Sequence, residues 1–194
     1  MHISRTIFLS CLFCWALNST VARAEEWSVS ELMEAMSQTR MARAKFVEQK
    51  NISMLEQPIE SSGELFYTAP DRLEKRTLQP KAESMQLEGS TLWIISEGKS
   101  HVLQLSRYPE IAAFIDSIRG LLSGDRKALE RSYQLQLSGK KTAWTLILEP
   151  KNPRVQKVLL RIEIEGAQTT LRNILIEQAD GDSSSMKITP VSSR

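Results

Sequence analysis

Apolar and polar positions alternate along most of this chain, and the period of the alternation changes from helical to strand-like early on. Leu32, Ala35 and Met36 recur at helical spacing after Ser28, which with Glu31 fits a capping box, so a helix is predicted to run to about Arg43. From Ala44 the period is two. Leu65 and Tyr67 alternate with Glu64, Phe66 and Thr68, and Tyr133, Leu135 and Leu137 with Gln134 and Gln136. Val158, Leu160, Ile162 and Ile164 alternate with Leu159, Arg161, Glu163 and Glu165. Trp144, Leu146 and Leu148 form another such row, as do Ile174 with Ile176 and Met186 with Ile188. Each row is one apolar face of a strand. Glycine turns at Gly89, Gly98, Gly139, Gly166 and Gly181 separate the segments, which predicts about ten to twelve mainly antiparallel strands.

One interruption divides the strand ending near Leu105 from the strand starting at Tyr133. Pro109 and Glu110 open a helix, Ile111, Phe114, Ile115, Ile118, Leu121 and Leu122 recur at three- and four-residue steps, and Ser123-Gly124 stops it. Asp125 caps a shorter helix through about Arg131, with Leu129 facing inward. An antiparallel sheet with one apolar face has to cover that face, and the three helices are the available cover. A sheet this long curls, and a few short helices leave room for a cavity against it.

Composition changes the picture through the first 24 residues. A basic start to Arg5, an apolar run from Thr6 to Leu17 and the small-x-small pattern Ala22-Arg23-Ala24 read as a secretory signal cleaved after Ala24, placing the protein in the periplasm. A lipoprotein signal acylated at Cys11 or Cys14 fits less well, because Phe13 precedes Cys14 and the apolar core before Cys11 is short. The run is also shorter than the roughly 20 residues of a membrane span. Cleavage leaves residues 25–194 as one domain and removes both cysteines, so no disulfide or thiolate site is expected. It also takes two of the 25 basic residues, leaving them level with the 23 acidic ones, which gives no argument for nucleic acid.

Little catalytic chemistry remains. His101 is the one histidine after the signal; no Gly-x-Ser-x-Gly elbow accompanies it, and no ligand cluster for a metal surrounds it. Paired acids exist, such as Glu163 and Glu165, which project from the polar face of a strand, or Glu25 and Glu26. Gly120 to Asp125 lacks the lysine of a phosphate-binding loop. Arg154, Lys157 and Arg161, with Lys140 and Lys141, read either as a solvated face or as a reader of an anionic head group. No metal, cofactor or catalytic residue is expected.

Several motifs in order carry a family resemblance. Phe46 with Glu48 and Gln49, then Ser62-Gly63-Glu64-Leu65-Phe66-Tyr67 with Ala69-Pro70-Asp71-Arg72-Leu73, then Glu88-Gly89-Ser90-Thr91-Leu92-Trp93, then Trp144 to Pro150 resemble the LolA outer-membrane lipoprotein carriers. The resemblance runs from about Glu31 to Ile188 and implies an α+β fold: a strongly curved antiparallel half-barrel of about 11 strands, covered by about three helices. It implies a non-enzymatic, monomeric carrier that takes the acyl chains of a lipoprotein or another lipid from an inner-membrane donor protein to an outer-membrane acceptor. An accessory module that uses the fold as a scaffold for a membrane-protein partner is the alternative. The cavity is expected to be lined by Phe46, Leu65, Tyr67, Trp93, Leu103 and Leu105 from the first half of the chain. Leu135, Trp144, Leu146, Leu160, Ile162 and Ile174 are expected to line it from the second. Ile111, Phe114, Ile115, Ile118 and Leu122 form the expected lid. The arginine that in the family precedes the proline and latches the lid is Ala69 here, an aromatic in the following turn is Leu73, and Arg72 lies past the proline.

Overall fold

Eleven strands form one open antiparallel sheet in the computed structural model, which describes residues 27–191. The expected signal, with Cys11 and Cys14, and Glu25 with Glu26 lie outside the described residues. The first six strands form a meander: β1 (Met41–Asn51), β2 (Ile59–Thr68), β3 (Arg72–Gln79), β4 (Glu83–Glu88), β5 (Thr91–Ser96) and β6 (Lys99–Gln104). The last five form another: β7 (Tyr133–Lys140), β8 (Ala143–Pro150), β9 (Leu159–Ala167), β10 (Thr170–Gln178) and β11 (Ser183–Pro190). Pairing of β1 with β11 joins the two, so β6 and β7 are left as the free edges. The connection between those edges holds a 3-10 turn at Leu105–Arg107 and two of the helices.

Those helices are α2 (Pro109–Ser123) and α3 (Arg126–Ser132), preceded in the chain by α1 (Val29–Ser37) and followed by a one-turn α4 (Pro153–Gln156). Local chemistry sets their ends. Ser28 and Glu31 complete the capping box on α1, Gly124 ends α2 at φ 70, where glycine carries no Cβ penalty, and the Asp125 carboxylate accepts from the Ala128 N–H to start α3. Apolar residues of α2 meet both meanders, Ile111, Ala112 and Ile115 on the β3–β6 side and Phe114, Ile118 and Leu121 on the β7–β11 side. The sheet therefore wraps around this helix.

Four expectations are corrected. The first helix stops at Ser37 rather than near Arg43, because Met41 to Arg43 already pair with Thr68 to Phe66 of β2. Leu105 is buried, but in the 3-10 turn and not in a strand. Trp93 faces outward: it pairs with Gln86 and Val102, while its neighbours Leu92 and Ile94 turn toward α2. Leu160 is outward as well, 53% exposed, because a bulge pairs Leu159 with Gln178 and Arg161 with Glu177 and leaves Leu160 as the extra residue. Leu159 takes the inward place.

Candidate functional site

The inner face of the sheet has two unequal halves. On the β7–β11 side, Leu32 and Met36 of α1, Leu121 of α2 and Leu129 of α3 close over Leu146, Leu148, Ile162 and Ile164, and none of these is more than 1% exposed. Trp144 anchors this half. Its ring covers Gly166, where a Cβ would come within 2.2 Å of Cζ2; its Nε1–H donates to the Gln168 carbonyl at 3.0 Å, and Trp27 packs on it at 6.3 Å between ring centroids. Gly120 lets α2 and α3 approach, since a Cβ there would meet Leu129 at 2.9 Å. This half is packed by its own side chains.

The β2–β6 half is not. Leu87, Leu92 and Leu105 are buried, but Leu73, Met85, Ile94 and Leu103 of the sheet are only half-buried, and so are Ile111 and Ile115 of α2 that face them. Phe114 and Ile118, which face the β7–β11 side of the helix, are half-buried as well. These side chains pack around the buried trio, yet apolar surface on both α2 and the sheet stays partly open to solvent beneath the N-terminal half of α2.

Phe46 and Tyr67 are buried at the boundary between the halves, beside an ion pair set in the inner face. Glu48 is 4% exposed; its carboxylate accepts from Lys75, from Ser184 Oγ at 2.7 Å and from Ser61 Oγ at 3.4 Å. Burial alone would raise the Glu48 pKa, but the Lys75 charge and the bonds from Lys75 and Ser184 outweigh it, so the group is held below the usual carboxylate range. The Lys75 ammonium lies 4.8 Å from the centroid of the Phe46 ring.

Two hydrogen bonds hold α2 over the sheet. Tyr133 OH donates to the Ala113 carbonyl at 2.6 Å, and Arg119 Nη1 donates to the Gly89 carbonyl in the β4–β5 turn at 2.6 Å while also pairing with Asp116. Burial, with Asp116 nearby, pushes the Tyr133 phenol well above its ordinary pKa, so the hydroxyl keeps its proton as a donor. Arg72 does not reach the helix: it lies 4.0 Å from Glu88, both exposed. A cleft of about 330 Å³ lies beside α2, between the 3-10 turn and the β7–α4 region, with Asp116, Arg131 and Asn152 among its walls.

Of the expected cavity residues, Leu103 lies half-buried on the inner face of the open half and Leu105 is buried there, whereas Leu65 is half-buried against the packed cluster, with Phe46 and Tyr67 buried at the boundary. Leu135 is half-buried against the packed half, and Trp144, Leu146, Ile162 and Ile174 belong to its buried core. Of the expected lid, Ile111, Phe114, Ile115, Ile118 and Leu122 are all half-buried. Lys75, Met85, Leu92 and Ile94 were missed. In Leu92-Trp93-Ile94-Ile95 every position is apolar, so period two cannot choose the inward pair, and Thr91 and Ser96 at the strand ends do not help.

The candidate catalytic groups do not converge. His101 is exposed on the edge strand β6 opposite Ile94. Glu163 and Glu165 stand on the outer face, the latter accepting from Asn173 Nδ2 at 2.6 Å. Lys140 and Lys141 sit at the opposite end of β8 from Arg154, and Arg161 pairs with Glu177 at 2.7 Å. Among the described residues no three His, Cys, Asp or Glu side chains gather as a metal site, and no helix is long and apolar enough to cross a membrane.

The profile of the outer membrane lipoprotein carrier protein LolA-like family matches residues 21–190. No curated protein sequence matches the chain. Among solved structures it is similar to a DUF1329 family protein from Desulfovibrio piger, at 11% identity over 83% of this chain and 88% of that one, with a TM-score of 0.50. It is also similar to a LolA superfamily protein from Nitrosomonas europaea, at 10% identity over 87% and 95%, with a TM-score of 0.47. A putative outer membrane lipoprotein-sorting protein domain from Vibrio parahaemolyticus aligns over 82% and 88% at 10% identity, with a TM-score of 0.41.

Proposed function

The chain belongs to the outer membrane lipoprotein carrier protein LolA-like family, and from that membership we propose that it is a periplasmic carrier that shelters acyl chains in the cleft under α2. The observation that carries this reading is the paired exposure of the Ile111/Ile115 face of α2 and the Met85/Ile94/Leu103 face of the sheet. Apolar surface left open on both sides of a cleft has nothing to gain from water and much from an alkyl chain. Burying one CH₂ contributes about 0.8 kcal/mol, so a long acyl chain supplies on the order of 12 kcal/mol before ordering costs. A carrier also has to release its load. Partial enclosure and a helix held at few points serve that end.

The cargo is a lipoprotein or another lipid-linked molecule, received from an inner-membrane protein and passed to an outer-membrane acceptor. Residues 1–24 act as the export signal, cleaved after Ala24, and residues 25–194 are one carrier domain without catalytic chemistry. Mass spectrometry of lipids extracted from protein purified from its own periplasm tests the proposal. Co-purified acyl lipid is expected; its repeated absence, together with no binding of acyl probes, overturns it.

A second reading, a scaffold for a membrane-protein partner, draws support from the well-filled core of the β7–β11 half and from Trp93, Ile95 and Val102 on the outer face near the free edge β6. Capture of a membrane-protein partner that is lost on Trp93→Ser substitution, with no acyl binding, would favour it.

A further inference from the structure

We infer that Lys75 is a polar anchor inside the apolar cleft, and that it holds a neutral carbonyl oxygen of the cargo, the ester or amide through which an acyl chain is attached. The inference rests on the acyl-binding reading and adds to it the part of the cargo that is recognised.

Lys75 occupies a place where the sheet otherwise presents apolar groups. Cross-strand pairing puts it in the inward row Ile94, Met85, Lys75, Leu65 and Ala44, between the packed and the open halves. Its position is built. Gly63, on the strand between Lys75 and Glu48, lets β3 and the Phe46 ring come close: a Cβ there would fall 1.9 Å from the Arg76 carbonyl oxygen and 3.0 Å from the Phe46 ring against which the ammonium lies. Glu48 is pinned from the other side by Ser184 and Ser61, so its lone pairs are largely taken.

The ammonium is in the opposite condition. It carries three donors, yet among the described residues its only hydrogen-bond acceptor is Glu48 Oε2, and its side chain is 23% exposed in the cleft wall. A pair of this kind does not gain stability over an apolar replacement, because desolvation offsets the attraction. The remaining donors are available to a ligand. Charge decides which kind. Glu48 already neutralises Lys75, and the nearest further cation, Lys50, is exposed and 3.9 Å from Glu48 Oε1. An anionic head group would bring a second negative charge against the buried carboxylate, whereas a carbonyl oxygen accepts the same bond without that repulsion.

Competition against a fluorescent acyl probe tests this with three ligands of equal chain length: a monoacylglycerol, the matching alkyl glycerol ether and the free fatty acid. The wild-type protein is expected to bind the ester about tenfold more tightly than the ether, the size of one hydrogen bond from a charged donor. Lys75→Met is expected to bring that ratio to about one, whatever it does to overall affinity, and Lys75→Arg to keep a preference for the ester. Equal affinity for ester and ether in the wild type, or a ratio that survives Lys75→Met, overturns the anchor and leaves the carrier reading standing. The free acid binding most tightly overturns the choice of a neutral carbonyl. Failure of every ligand, the ether included, overturns the carrier reading and the anchor with it. The wild-type comparison needs no variant to fold.

Discussion

The Arg119 guanidinium, on α2, donates to the Gly89 carbonyl at 2.6 Å and so ties the helix to the β4–β5 turn on the side where the sheet is loosely covered. In the family the resemblance points to, the latch arginine precedes a proline; here Ala69 fills that position and cannot reach. The tie runs instead from helix to sheet. Tyr133 holds the same helix to β7 through Ala113.

Arg119→Ala should therefore loosen α2 without unfolding the domain. Hydrogen exchange in residues 109–123 should speed up, and a bound acyl probe should dissociate several-fold faster, with a stability loss of about 1 kcal/mol. Unchanged exchange in α2 would show that the bond does not hold the helix.

The two halves should respond differently to the same truncation. Leu146→Ala, in the packed half, should cost about 2–5 kcal/mol in denaturant unfolding and leave probe affinity in the surviving fold unchanged. Leu103→Ala, at the open cleft, should cost less stability, because its side chain is already half-exposed. It should weaken acyl-probe binding by about 0.8 kcal/mol for each probe methylene left uncovered. Equal stability losses would contradict the asymmetry.

Gly166→Ala should be among the most damaging single-methyl changes, because the new Cβ would fall 2.2 Å from Trp144 Cζ2 and 2.7 Å from the Thr170 carbonyl. Displacing that ring should cost about 1–3 kcal/mol and shift the tryptophan emission. Gly181, a turn glycine rather than a strand glycine like Gly166, has nothing within 4 Å of an added Cβ, so Gly181→Ala carries only the backbone strain of its φ of 91.

Acid should act through Glu48. Its folded pKa is depressed, so its contribution to stability is complete above the unfolded carboxylate pKa of about 4.3 and is lost as pH falls through the lower folded value. Unfolding titrations of the wild type and Glu48→Gln should thus differ most above that range and converge toward acid pH. A difference independent of pH would mean that the carboxylate charge is not what stabilises the inner face.

Trp93→Phe should leave acyl-probe affinity unchanged, since the ring stands on the outer face. Weakened probe binding would instead require the outward face of β5 to serve the cargo.

Much of the architecture was legible because it is local. Ser28 with Glu31, Pro109 with Gly124, and Asp125 each set a helix end through bonds spanning a few residues, and the glycine turns spaced the strands. The first helix was drawn too long, because Met41 to Arg43 owe their conformation to β2, which lies more than twenty residues on. Leu160 and Trp93 were misplaced for related reasons. A bulge inverts alternation without a mark in the sequence, and an all-apolar strand offers no period to read.

Alternating strands interrupted by one amphipathic helix, an apolar chemistry and a family likeness all follow from the order of neighbouring residues, so the chain carries them before it folds. Tertiary structure was needed to decide that β1 pairs with β11, that α1 and α3 fill one half of the inner face, and that the cleft lies in the other. It also brought together Lys75 and Glu48, 27 positions apart, across Gly63. Which apolar faces are filled and which are left open depends on how distant segments divide a shared volume, and no local pattern carries that division.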